Sequence, residues 1–118
     1  MTVTRQSALP PLIADHLEAI RAISSEYQVS RMEVFGSVMT DAFDPVRSDI
    51  DFLVTFPAGY DFGPWLGRLQ DLEDRLSEVL GRDVDLVMAG ALRRERFRRM
   101  ADPTREVLYD ASTDGALA

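Results

Sequence analysis

The chain has 118 residues, 46% of them hydrophobic, which predicts a single globular domain over residues 1–118 with a core of about 10–110 and frayed ends. Its formal net charge of −7 argues against direct nucleic-acid binding, which needs clustered cations to neutralise phosphates. Cysteine and lysine are absent, which excludes disulfides, cysteine nucleophiles, lysine Schiff bases and a P-loop lysine. The first residues lack the apolar segment of a secretory signal, and no apolar run reaches the roughly 20 residues that span a bilayer, so we expect a cytoplasmic protein with no membrane association.

Helical and extended patterns alternate through the first half of the chain. Residues 10–27 predict a helix, because apolar side chains recur at helical spacing and two prolines suit its first turn. Residues 32–35 predict a strand, which Gly36 ends. A short helix is expected to start at Ser37, and a loop leads from it to the clearest strand pattern, residues 49–56.

The second half of the chain continues this alternation. Residues 63–80 predict an amphipathic helix that Gly81 ends. Its apolar stripe consists of Trp65, Leu69, Leu72, Leu76 and Val79. Residues 84–88 predict a third strand, residues 91–101 a helix, and residues 106–109 a final strand or helical turn. This order predicts an α/β domain, a two-layer α+β sandwich whose small mixed sheet has helices packed on one face.

Three aspartates are the candidate metal ligands. Alternation in a strand places Asp49 and Asp51 on one face, and Asp85 on the next strand can converge with them. Hard cations such as Mg²⁺ prefer oxygen ligands, and two of them can clamp the attacking and leaving oxygens of an in-line displacement. We therefore expect metal-dependent phosphate chemistry, in which Asp85 also takes or orients the proton of the attacking hydroxyl. Asp83 lies on the same face as Asp85 and is its rival.

The pair Gly36-Ser37 is the candidate phosphate site. A glycine at a strand end allows close backbone approach to a phosphate, and a serine that opens a helix offers a hydroxyl beside free N–H groups. The expected ligand is a nucleoside triphosphate, with its phosphates at Ser37 and its metals on Asp49 and Asp51. Each feature alone also fits a plain turn or a solvated strand, and their combination in this order is what favours the site.

Three stretches resemble the minimal nucleotidyltransferases of the DNA polymerase beta superfamily: Phe35–Ser37, Ser48–Val54 and Gly81–Val87. The resemblance extends over about residues 12–109 and implies the minimal nucleotidyltransferase fold. It also implies a catalytic centre that holds Mg²⁺, expected as two ions, with ATP as the substrate. The catalytic and metal-binding residues that it implies are Asp49, Asp51 and Asp85.

The nucleotide-binding residues implied by the resemblance are Gly36 and Ser37, and Arg47 is our candidate to replace the arginine that the family often has after the serine. The stretch Val38–Asp41 departs from the family pattern, which usually has a polar residue and then a glycine after the serine. The spacing from Ser37 to the first aspartate is also one residue longer than usual. Arg47 is therefore the candidate cation for the triphosphate.

The resemblance implies an antitoxin function. Such a protein transfers AMP from ATP to a tyrosine of a HEPN-domain RNase toxin, which neutralises the toxin, and it forms a hetero-oligomer with that partner. Two alternatives stay open. One is an antitoxin that acts by complex formation alone, and the other is a nucleotidyltransferase that modifies a small molecule such as an aminoglycoside.

Three further features have two interpretations each. The arginines between residues 93 and 99 form a docking face or phosphate contact, or else a solvated helix. Tyr60, Phe62 and Trp65 form an exposed partner patch or, as we favour, pack the core beneath the following helix. His16, the only histidine, is expected to have a structural or surface role and no part in catalysis.

Overall fold

The computed structural model describes residues 9–40, 49–88 and 104–112. The elements, in chain order, are α1 (Pro11–Ala14), α2 (Leu17–Glu26), β1 (Arg31–Phe35), a 3₁₀ turn (Ser37–Met39), β2 (Ile50–Thr55), a second 3₁₀ turn (Pro64–Leu66), α3 (Gly67–Leu80), β3 (Val84–Met88) and β4 (Glu106–Asp110). The segment that the sequence left open between strand and helical turn is therefore the strand β4.

The described strands form one mixed sheet in the order β3-β2-β1-β4. Strand β1 runs antiparallel to both β2 and β4, whereas β2 and β3 are parallel. The predicted small mixed sheet is confirmed. Because parallel strands start at the same end of a sheet, this topology brings together the residues at the beginnings of β2 and β3.

One face of the sheet packs against α2 and α3. Alternate residues of the central strands, such as Val34 on β1 and Phe52 on β2, are fully buried. They join a single core cluster with Ile20 of α2 and with Leu72 and Leu76 of α3. Burial of such side chains supplies about 1.5–3 kcal/mol each. This face confirms the predicted two-layer arrangement.

The second face of the sheet is closed over its centre and open at one end. Glu33, Phe35 and Leu53 alternate with the core residues and are at most 5% exposed. On this face, at the end where β2 and β3 begin, Asp51 is half-buried and Asp85 is exposed. The candidate carboxylates therefore lie where the second face meets solvent.

The first helix is interrupted, and here the prediction of one helix over residues 10–27 was wrong. Helix α1 ends at Ala14 and α2 begins at Leu17, with His16 in a non-helical conformation between them. The His16 ring donates from Nδ1 to the Leu12 carbonyl oxygen at 2.9 Å. The His16 backbone N–H donates to Ile13 O instead, so the side chain occupies the acceptor that a continuous helix would use.

Helix α3 begins at Gly67, four residues later than the predicted start. Trp65 and Leu66 both have left-handed backbone conformations, with φ of 57°. Two such residues in succession break the helical periodicity, so the Trp65 side chain leaves the apolar stripe and is 98% exposed. The predicted stripe is correct for Leu72 and Leu76, which are fully buried, and wrong for Trp65. Gly81 ends the helix in a left-handed conformation, as predicted.

The aromatic residues before α3 behave in two different ways. Tyr60 and Phe62 pack on the ring of Phe56, with ring centroids 4.4 and 4.8 Å from it, and are partly buried. Trp65 belongs to no such cluster in the described structure and projects into solvent. The favoured interpretation, in which all three aromatic residues pack in the core, is therefore wrong for Trp65.

Some sequence predictions lie outside the described residues. They are the candidate cation Arg47, the helix over residues 91–101 and the arginines Arg93, Arg94, Arg96, Arg98 and Arg99. Among the helices that the structure does describe, none has the length and apolarity to cross a membrane.

Candidate active site

The candidate carboxylates meet at the open end of the sheet. Asp51 and Asp85 are direct partners in the parallel ladder between β2 and β3, where neighbouring strands lie about 4.8 Å apart. Asp49 precedes β2 by one residue and shares the alternation of Asp51. The residues between and after them, Ile50 and Phe52, point into the core. The structure thus places the three predicted aspartates in one neighbourhood.

The carboxylate of Asp51 is the electrostatic centre of this group. Burial, together with the nearby charges of Asp85 and Asp49, raises its pKa to about 6. Like charges that are held close together disfavour ionisation. A bound cation would remove this penalty, so the fold keeps the carboxylate in an environment that favours a positive ligand.

Replacement of Asp51 by asparagine should stabilise the metal-free protein above pH 7. The folded-state pKa of about 6 lies above the unfolded value of about 4, so wild-type stability falls as pH rises between the two. After discounting for partial exposure, the variant should gain about 1–2 kcal/mol at pH 8 and almost nothing below pH 4. Urea unfolding with EDTA, followed by circular dichroism across this range, measures the difference. A difference that does not change with pH would contradict the raised pKa.

The Gly36-Ser37 turn lies directly against Asp51. Phe35, the last residue of β1, is the register partner of Asp51. Gly36 has a φ of +86°, and a Cβ atom at this position would lie 2.6 Å from Asp51 Oδ2. Both the backbone conformation and the space therefore require glycine here. The predicted phosphate turn and the predicted metal ligands are in contact.

The turn after Gly36 is shorter than the helix that the sequence suggested. It is a single 3₁₀ turn over Ser37–Met39, closed by the Met39 N–H donating to Gly36 O at 3.0 Å. Val38 is 4% exposed and belongs to the core. The unusual residue after Ser37 therefore packs inside the protein. Because the Met39 and Thr40 N–H groups already donate to Gly36 O and Ser37 O, the groups of this turn that we expect to meet a phosphate are the Ser37 hydroxyl and the N–H groups of Ser37 and Val38.

Three residues of this region were missed by sequence reasoning. Glu33 is 3% exposed and forms a two-point ion pair with Arg105, in which Nε and Nη2 donate to Oε1 and Oε2 at 3.1 Å each. The adjacent Thr104 accepts a hydrogen bond from the Gly36 N–H through Oγ1 at 2.8 Å. A signal existed for Glu33, because a charge between Met32 and Val34 on a central strand needs a partner. Nothing local marks Thr104.

The carboxylates of this site fit a hard cation whose coordination shell is completed by the substrate. Within residues 9–40, 49–88 and 104–112, no three carboxylate, imidazole or thiol side chains are arranged as a preformed metal cage. Mg²⁺ does not need such a cage, since it is usually bound through one or two carboxylates together with substrate phosphates and water. The facing pair of Asp51 and Asp85, beside the glycine turn, matches that pattern.

Comparison with known proteins agrees with this geometry. The family model described as a nucleotidyltransferase domain matches residues 16–109. Over 79 residues the chain is 34% identical to MJ0128 of Methanocaldococcus jannaschii, which carries the provisional name of a protein adenylyltransferase. The match covers 67% of this chain and 76% of that protein.

Solved structures share the fold. One, provisionally described as a minimal nucleotidyltransferase, aligns with a TM-score of 0.63 and 28% identity over 80% of this chain and 90% of its own. A chain from the structure of a tri-AMPylated Shewanella oneidensis HEPN toxin in complex with MNT antitoxin aligns with a TM-score of 0.56 and 21% identity, over 86% and 76% of the two chains. The second likeness supports the fold alone. The family match, the adenylyltransferase relative and the shared fold together show that the chain belongs to the nucleotidyltransferase domain family, as a minimal nucleotidyltransferase.

Proposed function

We propose that this minimal nucleotidyltransferase is an antitoxin that transfers AMP from ATP to a tyrosine of a HEPN-type RNase and thereby silences it. The observation that carries the proposal is the contact between the Gly36 turn and Asp51, which faces Asp85 on the next strand. This contact joins a phosphate-binding element to a carboxylate cluster. Nucleotidyl transfer requires both elements in the same place.

The carboxylates have separate tasks in this proposal. Asp49, Asp51 and Asp85 would hold Mg²⁺, with Asp51 in its ionised form. When bound, Mg²⁺ would neutralise the charge that develops on the triphosphate. Ser37 and the N–H groups of its turn would bind the phosphates that leave, as a small anion-binding concavity.

The transfer step follows from these positions. The tyrosine oxygen of the partner forms a bond to the α-phosphorus of ATP, and the bond from that phosphorus to the bridging oxygen of the β-phosphate breaks. Pyrophosphate leaves with that oxygen, and Asp85 accepts or orients the tyrosine proton. Asp85 is exposed, which suits a group that must meet an acceptor carried by another protein.

Three observations support a protein acceptor. The relative MJ0128 is named for adenylyl transfer to protein, and the fold is shared with a chain from a HEPN toxin–MNT antitoxin complex. Among the described residues, Asp49 and Asp85 are also exposed, so this side of the site is open to solvent. An open site of this kind admits a side chain from a partner surface more readily than it encloses a small molecule.

The test is a transfer assay with the cognate HEPN protein. Incubation with Mg²⁺ and ATP labelled on the α-phosphate should place label on a tyrosine of the partner and abolish its RNase activity. ATP labelled on the γ-phosphate should transfer no label. No labelled partner should form when EDTA is added, or when that tyrosine of the partner is changed to phenylalanine. RNase inhibition without label would instead support neutralisation by binding alone. Label on an aminoglycoside without any partner protein would support small-molecule transfer.

A further inference from the structure

We propose that Thr104 is a positioning residue for nucleotide binding, because its hydroxyl oxygen holds the Gly36-Ser37 turn against Asp51. The inference rests on the proposed function, since it concerns the same triphosphate site. Thr104 lies outside the three sequence motifs and 68 positions from Gly36, yet its Oγ1 accepts the Gly36 N–H at 2.8 Å. This bond connects the start of β4 to the catalytic end of β1.

The turn needs an external constraint. Glycine lacks a Cβ atom and has access to both signs of φ at little cost, so the residue alone does not select the observed φ of +86°. The carbonyl group of Gly36 is fixed by the Met39 N–H within the turn. Its N–H group is fixed by Thr104. With both peptide groups held, the Cα atom stays in the narrow space beside the Asp51 carboxylate.

Thr104 is itself held by its neighbours. Arg105 makes the two-point ion pair with buried Glu33 on β1. Glu106 is the register partner of Val34, also on β1. Two successive residues after Thr104 are thus fixed to β1, the strand that ends immediately before Gly36. These contacts to β1 fix the backbone next to Thr104, so its hydroxyl is held close to the turn. The β-branch of threonine further restricts its χ1 angle.

Loss of the hydrogen bond between Thr104 and Gly36 should affect nucleotide binding specifically. Ser37 follows Gly36 directly, so rotation of the Gly36 peptide moves both the Ser37 hydroxyl and the N–H groups of the turn. Loss of the Thr104 acceptor should therefore weaken binding of MgATP. In the proposed function the HEPN partner reaches Asp85, which is exposed and separate from the Gly36 turn, so the KM for the partner should change little.

The kinetic test compares two changes at position 104. Thr104→Val keeps the shape of the side chain and removes the acceptor, which should raise the KM for MgATP about tenfold, the effect of one lost hydrogen bond. Thr104→Ser keeps the acceptor and should stay within about threefold of wild type. Thr55→Val is the matched control: it makes the same change at the far end of β2, where Thr55 is partly buried, and should leave the KM unchanged.

A second measurement does not depend on turnover. In protein labelled with ¹⁵N-glycine, which gives only seven glycine amides, the Gly36 amide should exchange its hydrogen at least about tenfold faster in Thr104→Val than in Thr104→Ser. Isothermal titration with a non-hydrolysable MgATP analogue should show weaker binding to Thr104→Val than to Thr104→Ser. If Thr104→Val does not fold, Thr104→Ala takes its place beside Thr104→Ser.

The outcomes separate this inference from the proposed function. Wild-type affinity for the analogue in Thr104→Val, or unchanged protection of the Gly36 amide, would overturn the role of Thr104. If wild type binds MgATP and labels no protein, the protein-acceptor proposal fails, while the affinities and exchange rates still decide the role of Thr104. If wild type binds no MgATP at all, the proposed function and the role of Thr104 are both wrong.

Discussion

Replacing Asp51 with asparagine should lower the rate of AMP transfer by about 10³-fold or more, although the same change stabilises the metal-free fold. The amide preserves the size of the side chain but lacks the negative charge that a hard cation prefers. Asp85→Asn should lower kcat by a similar factor, because its register position beside Asp51 makes it a second ligand and proton acceptor. Both rates are measured as transfer of α-phosphate label to the HEPN partner at saturating Mg²⁺.

Asp83→Asn is the matched control for this experiment. Asp83 is exposed and lies two residues before Asp85, just ahead of β3. Asp83→Asn alters the net charge by the same amount as Asp51→Asn or Asp85→Asn, and it should leave the rate of AMP transfer within about twofold of wild type. Loss of transfer in Asp83→Asn with normal transfer in Asp85→Asn would reverse the assignment. Opposite effects of Asp51→Asn on stability and on rate would mark a residue whose placement serves catalysis at the expense of folding.

The second large effect is expected from Arg105→Met, which should destabilise the protein by about 3 kcal/mol. The change leaves the carboxylate of Glu33, which is 3% exposed, without the two hydrogen bonds that it accepts from the guanidinium. An uncompensated buried charge is far more costly than the ion pair is favourable. Urea unfolding with a double-mutant cycle measures this, and the double variant Glu33→Leu with Arg105→Met should recover most of the lost stability.

The exposed ion pair between Arg31 and Asp110 provides the comparison. It joins β1 and β4 with an N–O distance of 3.2 Å, but 45% of the Arg31 side chain is exposed. Arg31→Met should therefore cost less than about 1 kcal/mol. Equal losses in the two arginine variants would show that burial of Glu33 does not set the energy of its pair.

The acidic site could be predicted from the sequence because it depends on local periodicity. The period of two in a strand fixes Asp49 and Asp51 on the face opposite to Ile50 and Phe52 without any knowledge of the rest of the fold. The glycine that ends β1 was expected to allow close approach to a phosphate, whereas the close neighbour that the structure shows is the Asp51 carboxylate. Convergence with Asp85 required only that the next strand lie beside β2.

The remaining features depend on information that local patterns do not contain. The stripe that includes Trp65 has helical spacing, but spacing cannot indicate that two left-handed residues delay the helix to Gly67. The partnership of Thr104 with Gly36 is a contact between distant segments that only the tertiary fold creates. The break at His16 arises from a competition between a side chain and a backbone N–H for one carbonyl.

The position of Trp65 has a consequence for experiments on this protein. It is the only tryptophan in the chain, and its indole is 98% exposed in the folded state. An indole that is already surrounded by water changes its emission little on unfolding, so intrinsic tryptophan fluorescence is a poor measure of stability here. The same residue is a built-in optical reporter for contact at the start of α3. A partner that covers this turn will shift the emission to shorter wavelength, without any added label.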